Sequence, residues 1–168
     1  MKTWLFLLAG LVLHGCSAVQ GQATTQLLYH GHRFILPDPI FVIAPTASPD
    51  NMLILKYGPE PGKKYLAFSR SIPHHAMTAD CSQLDFFAAL FTNQTGVNCG
   101  QEPLDLFRKA WVDDRDAGVW RGNQLTVYFS VHAQQSFLFI FDKTGQSIMV
   151  DTDFLPKAAL KRMVDSAL

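Results

Sequence analysis

Three cysteines and six histidines are the side chains of this 168-residue chain best suited to covalent or metal chemistry. Cys81 and Cys99 bracket a helical pattern, and two chemistries compete for them. In an oxidising compartment the pair is a disulfide. A helix from Cys81 to near Phe91 spans about 15 Å, and the eight residues on to Cys99 can stretch back over ~26 Å, so the bridge closes. In the other reading Cys81 opens the helix, where amide dipoles lower a thiol's pKa and make it a nucleophile. His30 and His32 stand two apart on a possible strand and so share a face, but two ligands are too few for a metal. His74-His75 cannot share a strand face at all. No zinc-ligand spacing, phosphate-cradling glycine loop or serine elbow occurs, so no metal or cofactor is expected.

Which compartment applies is a question for the first residues. Lys2 precedes the apolar run Trp4 to Val12 and then Leu13-His14-Gly15-Cys16, the pattern of a secretory signal too short to span a bilayer as a ~20-residue helix. Leu13, Gly15 and Cys16 resemble the lipobox of bacterial lipoproteins, whose cysteine takes a diacylglycerol on its thiol and an acyl chain on its freed amine. His14 stands where that motif carries a small or β-branched residue, which leaves open cleavage by an ordinary signal peptidase and a soluble periplasmic or secreted product. The resemblance implies lipidation at Cys16. At about 0.8 kcal/mol per buried methylene, three chains would hold firmly where one holds marginally. Ser17, in place of the Asp that marks inner-membrane retention, implies the periplasmic face of the outer membrane. The expected division is therefore a signal over 1–15, a lipidated tether over 16–25 and one domain over 26–168. With Cys16 lipidated, Cys81 and Cys99 are the only thiols left to pair.

Asp80-Cys81-Ser82 also resembles the start of the nucleophile motif of NlpC/P60 cell-wall peptidases, in which a cysteine opens a helix and a histidine follows on a later strand. The resemblance implies Cys81 as nucleophile and His132 as base in a peptidase acting on cell-wall peptides. Gln83 replaces that family's glycine, and His132 lies in Val131-His132-Ala133-Gln134 rather than in a His-Val-Gly-like strand.

Fourteen Lys and Arg balance fourteen Asp and Glu, and loss of Lys2 with the signal leaves the chain within one unit of neutral. No basic stripe exists to hold a polyanion, so nucleic acid is excluded as the expected partner. A hydrophobic fraction of 48% supports a dense core, and no later apolar run reaches membrane-spanning length.

The elements that must position these residues follow from periodicity. Leu27 to Leu36, broken at Gly31, and Ile40 to Ala44, flanked by prolines, read as short strands, the latter at an edge. Met52 to Tyr57 and Tyr65 to Ser71 read as an antiparallel pair around Gly58-Pro59-Glu60-Pro61-Gly62. Leu125 to His132 alternates as a strand with one buried face, Phe137 to Phe141 as a central strand, and Ser147 to Val150 completes a meander. Helices are expected after Asp80, with inner residues Leu84, Phe87, Ala88 and Phe91 and a stop at Asn93 and Gly96. Two more are expected from Pro103, with Leu104, Phe107 and Trp111 inward, and after Pro156, with Leu160, Met163 and Val164 inward. Asp113-Asp114-Arg115-Asp116 reads as a solvated loop. The expected fold is α+β, a mainly antiparallel sheet with about three packing helices in a single domain. The expected function is a non-enzymatic, lipid-anchored protein-binding module of the envelope: an envelope or secretion-machine component, or an immunity protein neutralising a toxin. Trp120 and Tyr128 are candidates for the rim of an exposed patch.

Overall fold

The computed structural model describes residues 24–46, 52–70, 72, 81–94 and 99–168. The signal, Cys16, most of the tether, His74-His75, Asp80 and Gly96 lie outside the described residues. Nine strands and three helices are described, and the fold is α+β with antiparallel pairing throughout.

The chain opens with a hairpin, β1 (Thr25–Tyr29) and β2 (His32–Leu36), turned at His30 and Gly31, both at positive φ as a two-residue turn of this hand requires. Thr25 therefore already belongs to the domain, its hydroxyl donating to Asp38 at 2.6 Å. Next come β3 (Val42–Pro45), β4 (Leu53–Lys56) and β5 (Tyr65–Ser69), then the helices α1 (Gln83–Thr92) and α2 (Gln101–Trp111). The meander β6 (Asp116–Arg121), β7 (Leu125–Val131), β8 (Ser136–Asp142) and β9 (Ser147–Thr152) leads to α3 (Lys157–Asp165). In space the seven-stranded sheet runs β3-β4-β5-β9-β8-β7-β6. The last strand of the meander thus pairs with β5 and welds the early strands to the late ones. Pro45 sits on the edge strand β3, where an absent amide costs nothing.

Each face of this sheet has its own cover. On the first face, Leu55, Leu66, Phe68, Val127, Phe129, Leu138, Ile140 and Val150 pack beneath the hairpin residues Tyr29, Phe34 and Leu36 and the α3 residues Leu160, Met163 and Val164. On the second, Tyr128, Phe139 and Phe141 pack beneath Phe86, Phe87 and Leu90 of α1. Phe87 lies within 4.6 Å of the Phe139 ring and 5.3 Å of Phe141, while Trp111 of α2 reaches Phe139 at 4.7 Å.

Three expectations are corrected here. β7 is covered on both faces, because Phe87 and Phe91 of α1 close over Tyr128, which is 2% exposed and so cannot rim a surface patch. Leu84, expected inward, is 42% exposed, whereas Phe86 is buried against Phe107 of α2. A second helix stacked on α1 widens its apolar stripe and turns it away from Leu84. Finally, Asp116 begins a strand rather than closing a loop.

Candidate functional site

Cys81 and Cys99 are joined at disulfide distance, with Cα atoms 5.0 Å apart. The geometry is a helix that runs out and a chain that returns. Ser82 caps α1 by accepting from the Asp85 amide at 3.1 Å, and Asn93 stops it in a left-handed conformation. Arg108 of α2 then holds that end, donating to Asn93 Oδ1 at 2.7 Å and to the Ala89 carbonyl at 3.3 Å. A bridge of this sequence separation contributes about 3 kcal/mol by restricting the unfolded chain in the loop-entropy model.

The peptidase-like pair Cys81 and His132 is not brought together. Ser82 borders a cavity shared with Leu125 and Thr126 at the start of β7. His132 borders another, with Val131 and Ser136, beyond the end of that strand. Seven strand residues separate the two by roughly 20 Å, and a nucleophile and its base need hydrogen-bond contact. The Cys81 sulfur is 5% exposed at the residue level and bonded to Cys99, so it presents no thiolate. His132 Nδ1 accepts from the Gln134 amide at 3.4 Å.

His30 and His32 do not share a strand, but both line a small cavity with Arg70 and Asp142. His30 lies in the turn, where desolvation, Arg70 and His32 lower its pKa. His32 opens β2 and faces Asp142 at 3.5 Å. Desolvation pushes the Asp142 carboxyl up, but hydrogen bonds from Thr144, Gln146 and His32 outweigh it, and its pKa falls. No cluster of three or more His, Cys, Asp or Glu able to hold a metal occurs among the described residues.

What the sequence did not disclose is a surface. Among the described residues, α1 and α2 cover the β6–β8 half of their face and reach Met149 of β9, and the other half carries a groove of about 500 Å³. Its walls are Met52, Ile54 and Lys56 of β4 and the segment before it, Pro61 and Gly62 of the turn, Tyr65 and Ala67 of β5, and Met149 and Asp151 of β9. Strand alternation puts these residues on one face, since Ile54, Ala67 and Asp151 are directly opposed across three strands. The edge strand extends this face through Val42, which is 47% exposed and paired with Lys56, whereas Ile43 pairs with the core residue Leu55 and, like Phe41, belongs to the opposite face. Contiguous apolar exposure of this kind marks interaction surfaces. At the groove's inner end Tyr65 Oη lies 3.1 Å from both Asp151 oxygens, and Gln135 Nε2 lies 3.0 Å from both. Burial raises the Asp151 pKa, with hydrogen bonds from Gln135 and Tyr65 opposing it.

No helix among the described residues is long and apolar enough to cross a membrane. No family model, curated protein or solved structure matches the chain.

Proposed function

We propose that the chain is an exported envelope lipoprotein, anchored through Cys16 on the periplasmic face of the outer membrane, whose domain is a non-enzymatic protein-binding module. The observation that supports the binding role is the uneven cover of the sheet among the described residues: aromatic helices seal one half of a face, while half-buried Ile54 and Met149 line a groove in the other and exposed Val42 lies on its rim. A cysteine peptidase would bring a free thiol and a histidine together at one pocket, whereas Cys81 is bonded to Cys99 and His132 borders a cavity at the far end of β7. A partner that covers the groove stabilises both proteins by removing that surface from water. A structural component of the envelope and an inhibitor of a toxin both fit a module of this kind, because each needs only a complementary surface.

Anchor and face have separate tests. Cys16→Ser removes the lipid acceptor, so the protein should move from the membrane fraction to the soluble periplasm; unchanged fractionation rejects the anchor. A photo-crosslinking residue in place of Ile54 or Val42 should give a discrete adduct in cells, and one in place of Lys109 on α2 should not. Adducts from all three positions, or from none, reject the face.

A further inference from the structure

The groove is apolar along its walls and anionic at its inner end. Asp151 is partly buried there, and the two side chains that bind it, Tyr65 and Gln135, are neutral donors. Among the described residues no cation pairs with it. The ion pairs present are His32 with Asp142, Lys157 with Asp116 and Lys161 with Asp165. Lys56 lines the same groove but donates its ammonium to the Glu60 and Lys63 carbonyls. Arg115 donates to the Ser130 hydroxyl and the Gln135 carbonyl. Neighbouring Asp153 is occupied by the amides of Lys64 and Tyr65 at 3.0 Å. The Tyr65 phenol has one proton to give and the Gln135 amide two, so they fill at most three of the about four acceptor sites of an ionised carboxylate.

The geometry points to a lysine or arginine side chain of the protein partner as the groove's occupant, its stem lying along Ile54, Ala67 and Met149 and its cation meeting Asp151. This rests on the protein-binding reading and deepens it. The pairing uses both parts of such a side chain, since its methylenes gain from apolar walls while its head keeps a charged partner. Arginine anchors in desolvated pockets are also where interface energy concentrates. Burial already works against the charge on Asp151, and an incoming cation offsets that cost, whereas an apolar or acidic insert would add to it.

The test uses fragments of that side chain on isotope-labelled protein. n-Butylguanidinium should shift the amide resonances of Ala67, Met149 and Asp151 and the Gln135 side-chain amide, saturating in the millimolar range, while neutral n-pentanol should bind at least tenfold more weakly. Asp151→Asn, with its spectral dispersion intact, should weaken guanidinium binding at least tenfold. If that variant does not fold, Met149→Lys, which sets an ammonium of the chain's own beside the carboxylate, should compete the fragment away. Equal binding of the alcohol, binding unaffected in these variants, or shifts elsewhere would overturn the anchor. Crosslinking from Ile54 separates the two ideas, because adducts that persist without guanidinium binding leave the docking face standing and remove only its basic anchor.

Discussion

Tyr57 and Tyr65 carry the same phenol into opposite circumstances. Tyr57 packs against the Phe154 ring at 4.9 Å with its hydroxyl buried and unpartnered, whereas the Tyr65 hydroxyl holds Asp151. Removing an orphaned buried hydroxyl relieves its desolvation, so Tyr57→Phe should raise stability by about 1 kcal/mol. Tyr65→Phe removes a donor to a carboxylate and should lower it by roughly 1–2 kcal/mol. Urea denaturation of the two variants checks this, and shifts of the same sign would refute it. Burial first, then Asp38 for Tyr57 and Asp151 for Tyr65, pushes both phenols up to about 12. Folded values above the ordinary 10 mean that the fold favours the protonated phenol. That stability is complete below pH 10 and is lost as pH rises toward 12, so each Phe variant should flatten part of the alkaline limb. At this scale the disulfide was legible, because two thiols, an expected export signal and helix length constrain each other. The Tyr65, Gln135 and Asp151 cluster was not, since only the register that sets β5 against β9 brings residues 65 and 151 together.

Elements were read best where period and punctuation agreed. Around α3, Pro156 precedes the helix and Leu160, Met163 and Val164 are buried as the period requires. β6 was missed because Asp116-Ala117-Gly118 follows an acidic run and has the composition of a loop. Its pairing with β7 supplies the missing logic: a Cβ at Gly118 would lie 2.8 Å from the Phe129 ring. That ring cannot retreat, because Trp120 stacks on it at 4.4 Å and the Lys157 ammonium lies 4.4 Å from its centre. Gly118 is thus a place kept empty for an aromatic neighbour, and a residue that reads locally as a strand breaker serves the strand. Gly118→Ala should cost about 1–3 kcal/mol as overpacking. A urea midpoint equal to that of the parent protein would show that the ring has room to move.

For the whole molecule, the decisive property is the uneven covering of one sheet. β8 lies between β7 and β9, with Leu138, Phe139 and Ile140 at most 1% exposed, while β3 has a single neighbour and four exposed residues. Sequence periodicity marks which residues of a strand share a face, but not how far a helix extends over its neighbours. The open groove was therefore invisible until α1 and α2 were seen to stop over β8 and Met149 of β9. The same unevenness orders the local stabilities. Amides that need the whole sheet to open exchange at the global rate, and those on a short, thinly covered edge exchange through small openings. Hydrogen exchange of the free protein should be slowest at Phe139 and Ile140 and, within the large sheet, fastest at Val42 and Ile43. Equal protection of β3 and β8 would contradict this account. Because an opening edge beside an apolar groove is what a docking partner would order, adding the crosslinked partner in purified form should slow exchange in β3 and β4 while leaving β8 unchanged. Slowing confined to the α1 and α2 side would place the docking face elsewhere on the molecule.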